Sequence, residues 1–366
     1  MSEKPVILEF SEFFESYLSE KPFIIRGWDE DENQEFRIEY NEGITTFDKN
    51  LKPLDIKNYL FNIGIFPSDE KWWREKAFKK LEKRYNEAIE EEEVPALGLD
   101  TNIIINGVFI NRLRGLLKRK LKWENPLLLL SLASSHELHY GAESKYNDSF
   151  YNKSKLDNIW EFILSLDSQT QELAKTVFGT YKPIENKNIL SSLHCKRGRI
   201  GLIGSYNYYK HKKLPNTLII KSIHPYNVAK FDSDGHKYKG IDAIYDTLIA
   251  YEFTQFMTFT NTKVTILTMD NSLASLLQNA SVDVVYIPPP SKFQLPKEII
   301  IPQRNCSILL RELLVRSPFI VIEDENKKIV LSMIWIGQTD EEKAKGVIHG
   351  VVKEKNKTRY LLIKSQ

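Results

Sequence analysis

The sequence predicts an α/β protein centred on a parallel sheet flanked by helices. An acidic α+β unit precedes that sheet and a small β-rich module follows it. Three observations carry the prediction. Short apolar runs alternate with helix-like stretches between residues 94 and 290, the pattern of a buried parallel sheet with helical crossovers. The charge changes sign along the chain. Residues 1–95 hold 14 Lys+Arg against 23 Asp+Glu, a balance of −9, and residues 96–366 hold 37 against 26, a balance of +11. Finally, Pro288-Pro289-Pro290 ends the alternating region. The expected units are therefore 1–93, 94–290 and 291–366, a number that suits 366 residues at roughly 100–200 per domain.

In the first unit, Pro22–Gly27 and Phe36–Tyr40 read as strands and Asp69–Glu93 as a helix ending in an acidic run. The pattern changes at Val94, where an apolar run bounded by Glu and polar residues reads as a buried strand with Asp100 at its carboxyl end. A basic helix, Val108–Trp123, follows until Asn125-Pro126 breaks it, and Pro126–Ala133 reads as a second buried strand or short helix. Lys155–Leu166 and Thr170–Phe178 look helical. Residues 184–239 form a basic, tyrosine-rich insertion in which Arg199–Ile203 and Thr217–Ile223 read as strands around a polar loop. Gly240–Phe256 is an amphipathic helix, Lys263–Thr268 a strand, Leu273–Gln278 a helix and Val282–Ile287 a strand. Beyond the prolines, Cys306–Val315 reads as helical, and Phe319–Glu323, Ile329–Ile336, Val347–Val352 and Tyr360–Ile363 as strands.

The composition, 42% hydrophobic and 27% charged, is that of a globular chain with a full core. No run of about 18 apolar residues suggests a membrane span. The opening MSEKPVILEF lacks the basic and apolar regions of a signal peptide, so a cytoplasmic protein is expected. The two cysteines, Cys195 and Cys306, define neither a disulfide framework nor a zinc site, and His136 and His139 lack zinc-ligand spacing. A basic body suits a polyanion such as RNA or DNA, although it also reads as an ordinary solvated surface.

Open parallel sheets form their sites beyond the carboxyl ends of the strands. Asp100, Glu137 and Asp270 fall at or just after such ends, and Asp246 lies on the helix before the last of these strands. Acids gathered at one sheet edge stay ionised together only when a cation neutralises them. Hard carboxylate oxygens suit Mg²⁺ or Mn²⁺, which polarise phosphoryl oxygens and activate water. Each aspartate also reads, taken singly, as a helix N-cap.

The run Leu99-Asp100-Thr101-Asn102-Ile103 resembles the opening strand of PIN-domain nucleases, an apolar strand followed by Asp-Thr/Ser-Asn. Glu137-Leu138 is similar to the family's second acidic position, Asp246 with the following Ile249-Ala250 to its third, and Thr268-Met269-Asp270 to its fourth. The four come in the family's order, with 37 residues from Asp100 to Glu137 and 24 from Asp246 to Asp270. The resemblance covers about residues 94–287. Two departures stand out. The separation of 109 positions from Glu137 to Asp246 exceeds the compact form of the family, and Asn271 and Ser272 stand where many members carry a further acid. Asp242, one turn before Asp246, is placed to substitute for that acid or to cap its helix.

The resemblance implies hydrolysis of phosphodiester bonds, usually of RNA, with Asp100, Glu137, Asp246 and Asp270 as the catalytic acids holding one or two Mg²⁺ or Mn²⁺ ions. Asn102 and Thr268 are implied to support them, and Thr268 reads equally as a strand-end hydroxyl bonded to backbone. Cations interleaved with tyrosines suit single-stranded nucleic acid, through paired phosphates and stacked bases. Lys196, Arg197, Arg199, Tyr208, Tyr209, Lys210, Lys212 and Lys213 in the insertion, with Arg112 and Arg114 near Asp100, are the expected contacts. The function expected is a metal-dependent endoribonuclease acting on single-stranded RNA. The alternative is a non-catalytic RNA-binding or assembly factor that retains the fold. The acidic first unit is expected to mask the basic body or to dock a protein partner.

Overall fold

A computed structural model of the chain describes residues 6–18, 22–29, 34–41, 44–47, 77–143, 161, 164–179, 196–221, 239–280, 282–287, 298–300, 309–310, 313–314, 317, 319–334, 347–354 and 357–364. In chain order the first elements are β1 (Val6–Glu9), α1 (Phe10–Tyr17), β2 (Phe23–Asp29), β3 (Gln34–Asn41), β4 (Ile44–Phe47) and α2 (Lys79–Glu90). Next come β5 (Val94–Leu99), α3 (Thr101–Ile105), a π turn at Phe109–Leu113 that continues into α4 (Arg114–Leu121), β6 (Leu127–Ser131) and α5 (Leu132–Glu143). These are followed by α6 (Ser168–Gly179), α7 (Lys196–Lys212), β7 (Thr217–Ile220), α8 (Lys239–Phe259), β8 (Thr262–Thr268), α9 (Asn271–Asn279) and β9 (Asp283–Tyr286). The chain closes with β10 (Glu298–Ile300), β11 (Ile320–Glu323), β12 (Lys327–Ile334), β13 (Val347–Glu354) and β14 (Lys357–Lys364). Among the described residues no helix is long and apolar enough to cross a membrane.

The chain is mixed α/β and folds as two compact units that differ from the three read along the sequence. One comprises residues 1–60, 141–206 and 291–366, and the other 61–140 and 207–290. The segments expected as separate N- and C-terminal units share one nine-stranded sheet, ordered β1-β14-β13-β12-β11-β2-β3-β4-β10. The join is β2 against β11, antiparallel, with Ile25 opposite Ile322. Six of its strands, β2, β3 and β11 to β14, match strands expected from the sequence, whereas β1, β4 and β10 were not expected. The pairing of β2 with β11 was not readable, because the partners lie nearly 300 residues apart and each strand carries only its own period-two pattern. Leu166, Leu173, Phe319, Val321, Val330 and Val351 form the core on this sheet.

The second unit holds a parallel five-stranded sheet, ordered β7-β6-β5-β8-β9. On one face Ala96, Leu129, Val264 and Ile266 pack with Tyr245, Leu248, Ile249 and Phe253 of α8 and with Leu273 and Leu277 of α9. The alternate residues Leu97, Leu99, Leu128, Leu130 and Leu267 are buried as well, so both faces are covered. Gly98 faces α8 closely enough that a Cβ would stand 2.6 Å from the Phe253 ring, so the central strand admits no side chain there.

α7 departs from expectation, being helical where Arg199–Ile203 reads as a strand. Its buried positions Gly204, Tyr208 and His211 follow the helical spacing i, i+4, i+7, which the mixture of Gly, Ile and Tyr disguised. Asp69–Lys76 of the expected first helix and most of Cys306–Val315 lie outside the described residues.

Candidate functional site

The strand order fixes where a site can form. From β5 the chain steps to β6 and then β7 on one side, and then crosses to β8 and β9 on the other. Connections leaving β5 and β8 therefore diverge, opening a crevice at their carboxyl ends, where open α/β sheets bind ligands.

Asp100 sits at the end of β5 and is 2% exposed. Its Oδ1 accepts the Thr101 amide at 2.6 Å, which caps α3, and its Oδ2 accepts the Thr268 hydroxyl at 2.8 Å. Thr268, at the end of β8 and fully buried, also accepts the Asp270 amide on Oγ1 at 2.9 Å. One hydroxyl thus clamps the Asp100 side chain to the backbone of Asp270. Thr268 thus bonds local backbone, as one reading expects, and also bonds the Asp100 carboxyl. Asp270, half-buried, caps α9 through the amides of Ser272 at 2.6 Å and Leu273 at 3.1 Å. The capping reading of these two aspartates is therefore correct as geometry.

Burial pushes the Asp100 carboxyl up to about 7. The Thr268 hydroxyl and the Thr101 amide pull it back, while the charges of Asp246 and Asp270 raise it further. Asp246 is half-buried on α8. Glu137, on the second turn of α5, accepts the Thr101 hydroxyl on Oε2 at 2.5 Å. A chain of hydrogen bonds thus runs from Asp270 through Thr268 and Asp100 to Thr101 and Glu137. Thr101 escaped the sequence reading, although a hydroxyl next to a predicted site acid was the available signal.

The donor set is all oxygen, the chemistry of Mg²⁺ or Mn²⁺, and mutually repelling acids are what a cation relieves. Among the described residues no three His, Cys, Asp or Glu side chains converge closely enough to hold an ion in this side-chain arrangement. The Asp242 side chain lies outside the described residues. Asn102 is half-buried, with its carbonyl accepting from Asn106 Nδ2 at 2.8 Å, and Ser272 is exposed. His136 is exposed on α5.

The predicted basic contacts divide. Asn207 Nδ2 donates to the Ile105 carbonyl at 2.9 Å, and the Phe109 and His211 rings lie 5.9 Å apart. The last turns of α7 therefore lie beside the segment carrying Arg112 and Arg114, which are half-buried. Lys212 and Lys213 are exposed, Lys210 is half-buried, and Lys213 Nζ stands 5.2 Å above the Tyr209 ring. Tyr208 corrects the sequence reading. It is 4% exposed and its hydroxyl donates to the Ser131 carbonyl at 3.3 Å, so it packs the interior and has no face for a base. The side chains of Lys196, Arg197 and Arg199 lie outside the described residues.

Glu252, a carboxylate 6% exposed on α8, joins no motif of the sequence analysis. It falls among Tyr245, Leu248, Ile249 and Phe253, and an acid within a helix's apolar stripe was the signal for it. Comparison of the chain with profiles of known families, with curated proteins and with solved structures finds no match in any of the three.

Proposed function

We propose that the unit of residues 61–140 and 207–290, which holds the four acids, is a PIN-type, Mg²⁺- or Mn²⁺-dependent endoribonuclease acting on single-stranded RNA. The observation that carries the reading is Asp100: a buried carboxyl at the strand switch point, raised to about 7 and facing the charges of Asp246 and Asp270. In this reading Asp100, Asp270, Asp246 and Glu137 would hold the ion. When bound, it supplies polarisation of a phosphoryl oxygen and a water of lowered pKa. Thr268 and the Thr101 amide fix the Asp100 carboxylate, so little side-chain entropy is left to lose on binding. Glu137, which accepts the Thr101 hydroxyl, would hold the ion with its carboxylate. Arg112, Arg114, Lys210, Lys212 and Lys213 pair with backbone phosphates. The acidic segment within residues 1–95 is proposed to dock a protein partner.

The second reading, a non-catalytic RNA-binding factor, is favoured by two observations. Both Asp100 oxygens are already hydrogen-bonded, and the positions after Asp270 are Asn271 and Ser272. Cleavage of labelled single-stranded RNA and matched DNA, with Mn²⁺, Mg²⁺ or EDTA and beside Asp100→Asn, separates the two. Metal-dependent cutting lost in Asp100→Asn supports the nuclease. Retention of RNA without cutting supports the binding factor.

A further inference from the structure

A carboxylate buried on the apolar face of a helix is costly unless it is hydrogen-bonded, and the bonds Glu252 makes are specific. Its Oε2 accepts the Ser131 hydroxyl at 2.6 Å and the Ala133 amide at 3.2 Å. Ser131 ends β6 and in turn accepts the Ser134 amide at 3.2 Å, so it caps α5. Glu252 therefore lies at the amino terminus of α5, where a negative charge meets the positive end of the helix dipole. α5 carries Glu137 on its second turn, and α8 carries Asp246 six residues before Glu252. Glu252 is thus a polar link between the two acid-bearing helices, on a hub that also takes the Tyr208 hydroxyl.

We infer that Glu252 is a positioning residue, which fixes the helix bearing Glu137 against the helix bearing Asp246 and so sets the spacing of the two acids. It does not itself bind the ion. The inference rests on the proposed metal site for its purpose, but the link is testable without it. A merely structural Glu252 would affect stability alone, whereas a positioning one changes metal affinity at temperatures where the protein is fully folded.

The test combines hydrogen exchange at residues 132–138 with Mn²⁺ titration calorimetry on the full chain. Glu252→Ala, Glu252→Gln and Val282→Ala are compared, the last thinning the same core at the amino end of β9. Glu252→Ala is expected to raise exchange across 132–138 and weaken Mn²⁺ binding by about 10–100-fold. Glu252→Gln, whose amide oxygen still accepts both hydrogen bonds, is expected to restore both, and Val282→Ala to leave Mn²⁺ binding unchanged. Mn²⁺ affinity within twofold in Glu252→Ala, or equal weakening in Val282→Ala, overturns the inference. If the unsubstituted protein takes no Mn²⁺, the nuclease reading fails. The exchange rates then decide alone, and unchanged protection in Glu252→Ala overturns the link. Should Glu252→Ala not fold, Ser131→Ala breaks the same link from the other side and is read in the same way.

Discussion

Asp100 and Asp167 occupy the same local motif in the two units and have opposite electrostatics. Each precedes a short-range helical start, accepts an amide of the first turn, and accepts a threonine hydroxyl, from Thr268 and Thr170 respectively. Asp167 also receives Lys328 Nζ at 2.6 Å. Burial works against its charge, yet Lys328 and Thr170 outweigh burial and hold the carboxyl well below its ordinary value. Asp100 is more deeply buried and faces Asp246 and Asp270 instead of a cation, so it rises to about 7. A cap beside a lysine is an ordinary structural device. A cap raised by burial and by neighbouring acids fits the cation site proposed above.

Neutralising each aspartate separates the two cases. Asp100 is raised in the folded state, so its contribution to stability is fully present below the unfolded value near 4 and is lost as pH rises to about 7. The shift of roughly three units corresponds to about 4 kcal/mol. Asp100→Asn is therefore expected to abolish cleavage while stabilising the protein at pH 8 by up to that amount, read by denaturant unfolding. A loss of stability at pH 8 would contradict this. Asp167→Ala is expected to do the reverse, costing about 1 kcal/mol as a lost cap while leaving cleavage intact.

His211 gives a smaller effect of opposite sign. It is fully buried, its Nδ1 donating to the Asn207 carbonyl at 2.6 Å, and burial lowers it to about 4. Its contribution is present above pH 6.5 and is lost as pH falls through 4, a change of about 3 kcal/mol. Unfolding profiles of His211→Leu and the unsubstituted protein should converge in this window. Parallel profiles would show that the ring is not held neutral.

Gly98→Ala drives a Cβ into the Phe253 ring and is expected to cost about 1–3 kcal/mol, with Phe253→Leu recovering part of it. No recovery would mean that the close approach is not what constrains Gly98. The least effect belongs to the basic cluster. Lys212→Ala with Lys213→Ala should lower the slope of log affinity against log salt for single-stranded RNA by up to about 1.4. An unchanged slope would place the RNA elsewhere.

The parallel sheet was legible in the sequence because strands buried on both faces are continuous apolar runs, as at Val94–Leu99 and Lys263–Thr268. That Asp100 and Asp270 lie near each other followed from the same reading. The nine-stranded sheet was not legible as one body, since nothing in Phe23–Asp29 names Ile320–Glu323 as its partner. Tyr208 was misread because tyrosines among lysines look like a binding face until the helical spacing of Gly204, Tyr208 and His211 is seen. Thr101 and Glu252 went unnoticed for the converse reason: each takes its role from a partner on another element, Glu137 in one case and Ser131 in the other.

Mn²⁺ titration calorimetry at pH 8, on the unsubstituted protein and on Asp100→Asn, decides whether Asp100 takes a metal ion. Binding by the unsubstituted protein that weakens at least tenfold in Asp100→Asn, and that weakens in the unsubstituted protein as pH is lowered from 8 to 6, is the result expected of a carboxyl near 7 that must ionise to take the metal. No binding, or binding equal in the two proteins, would contradict it and leave Asp100 as a buried helix cap.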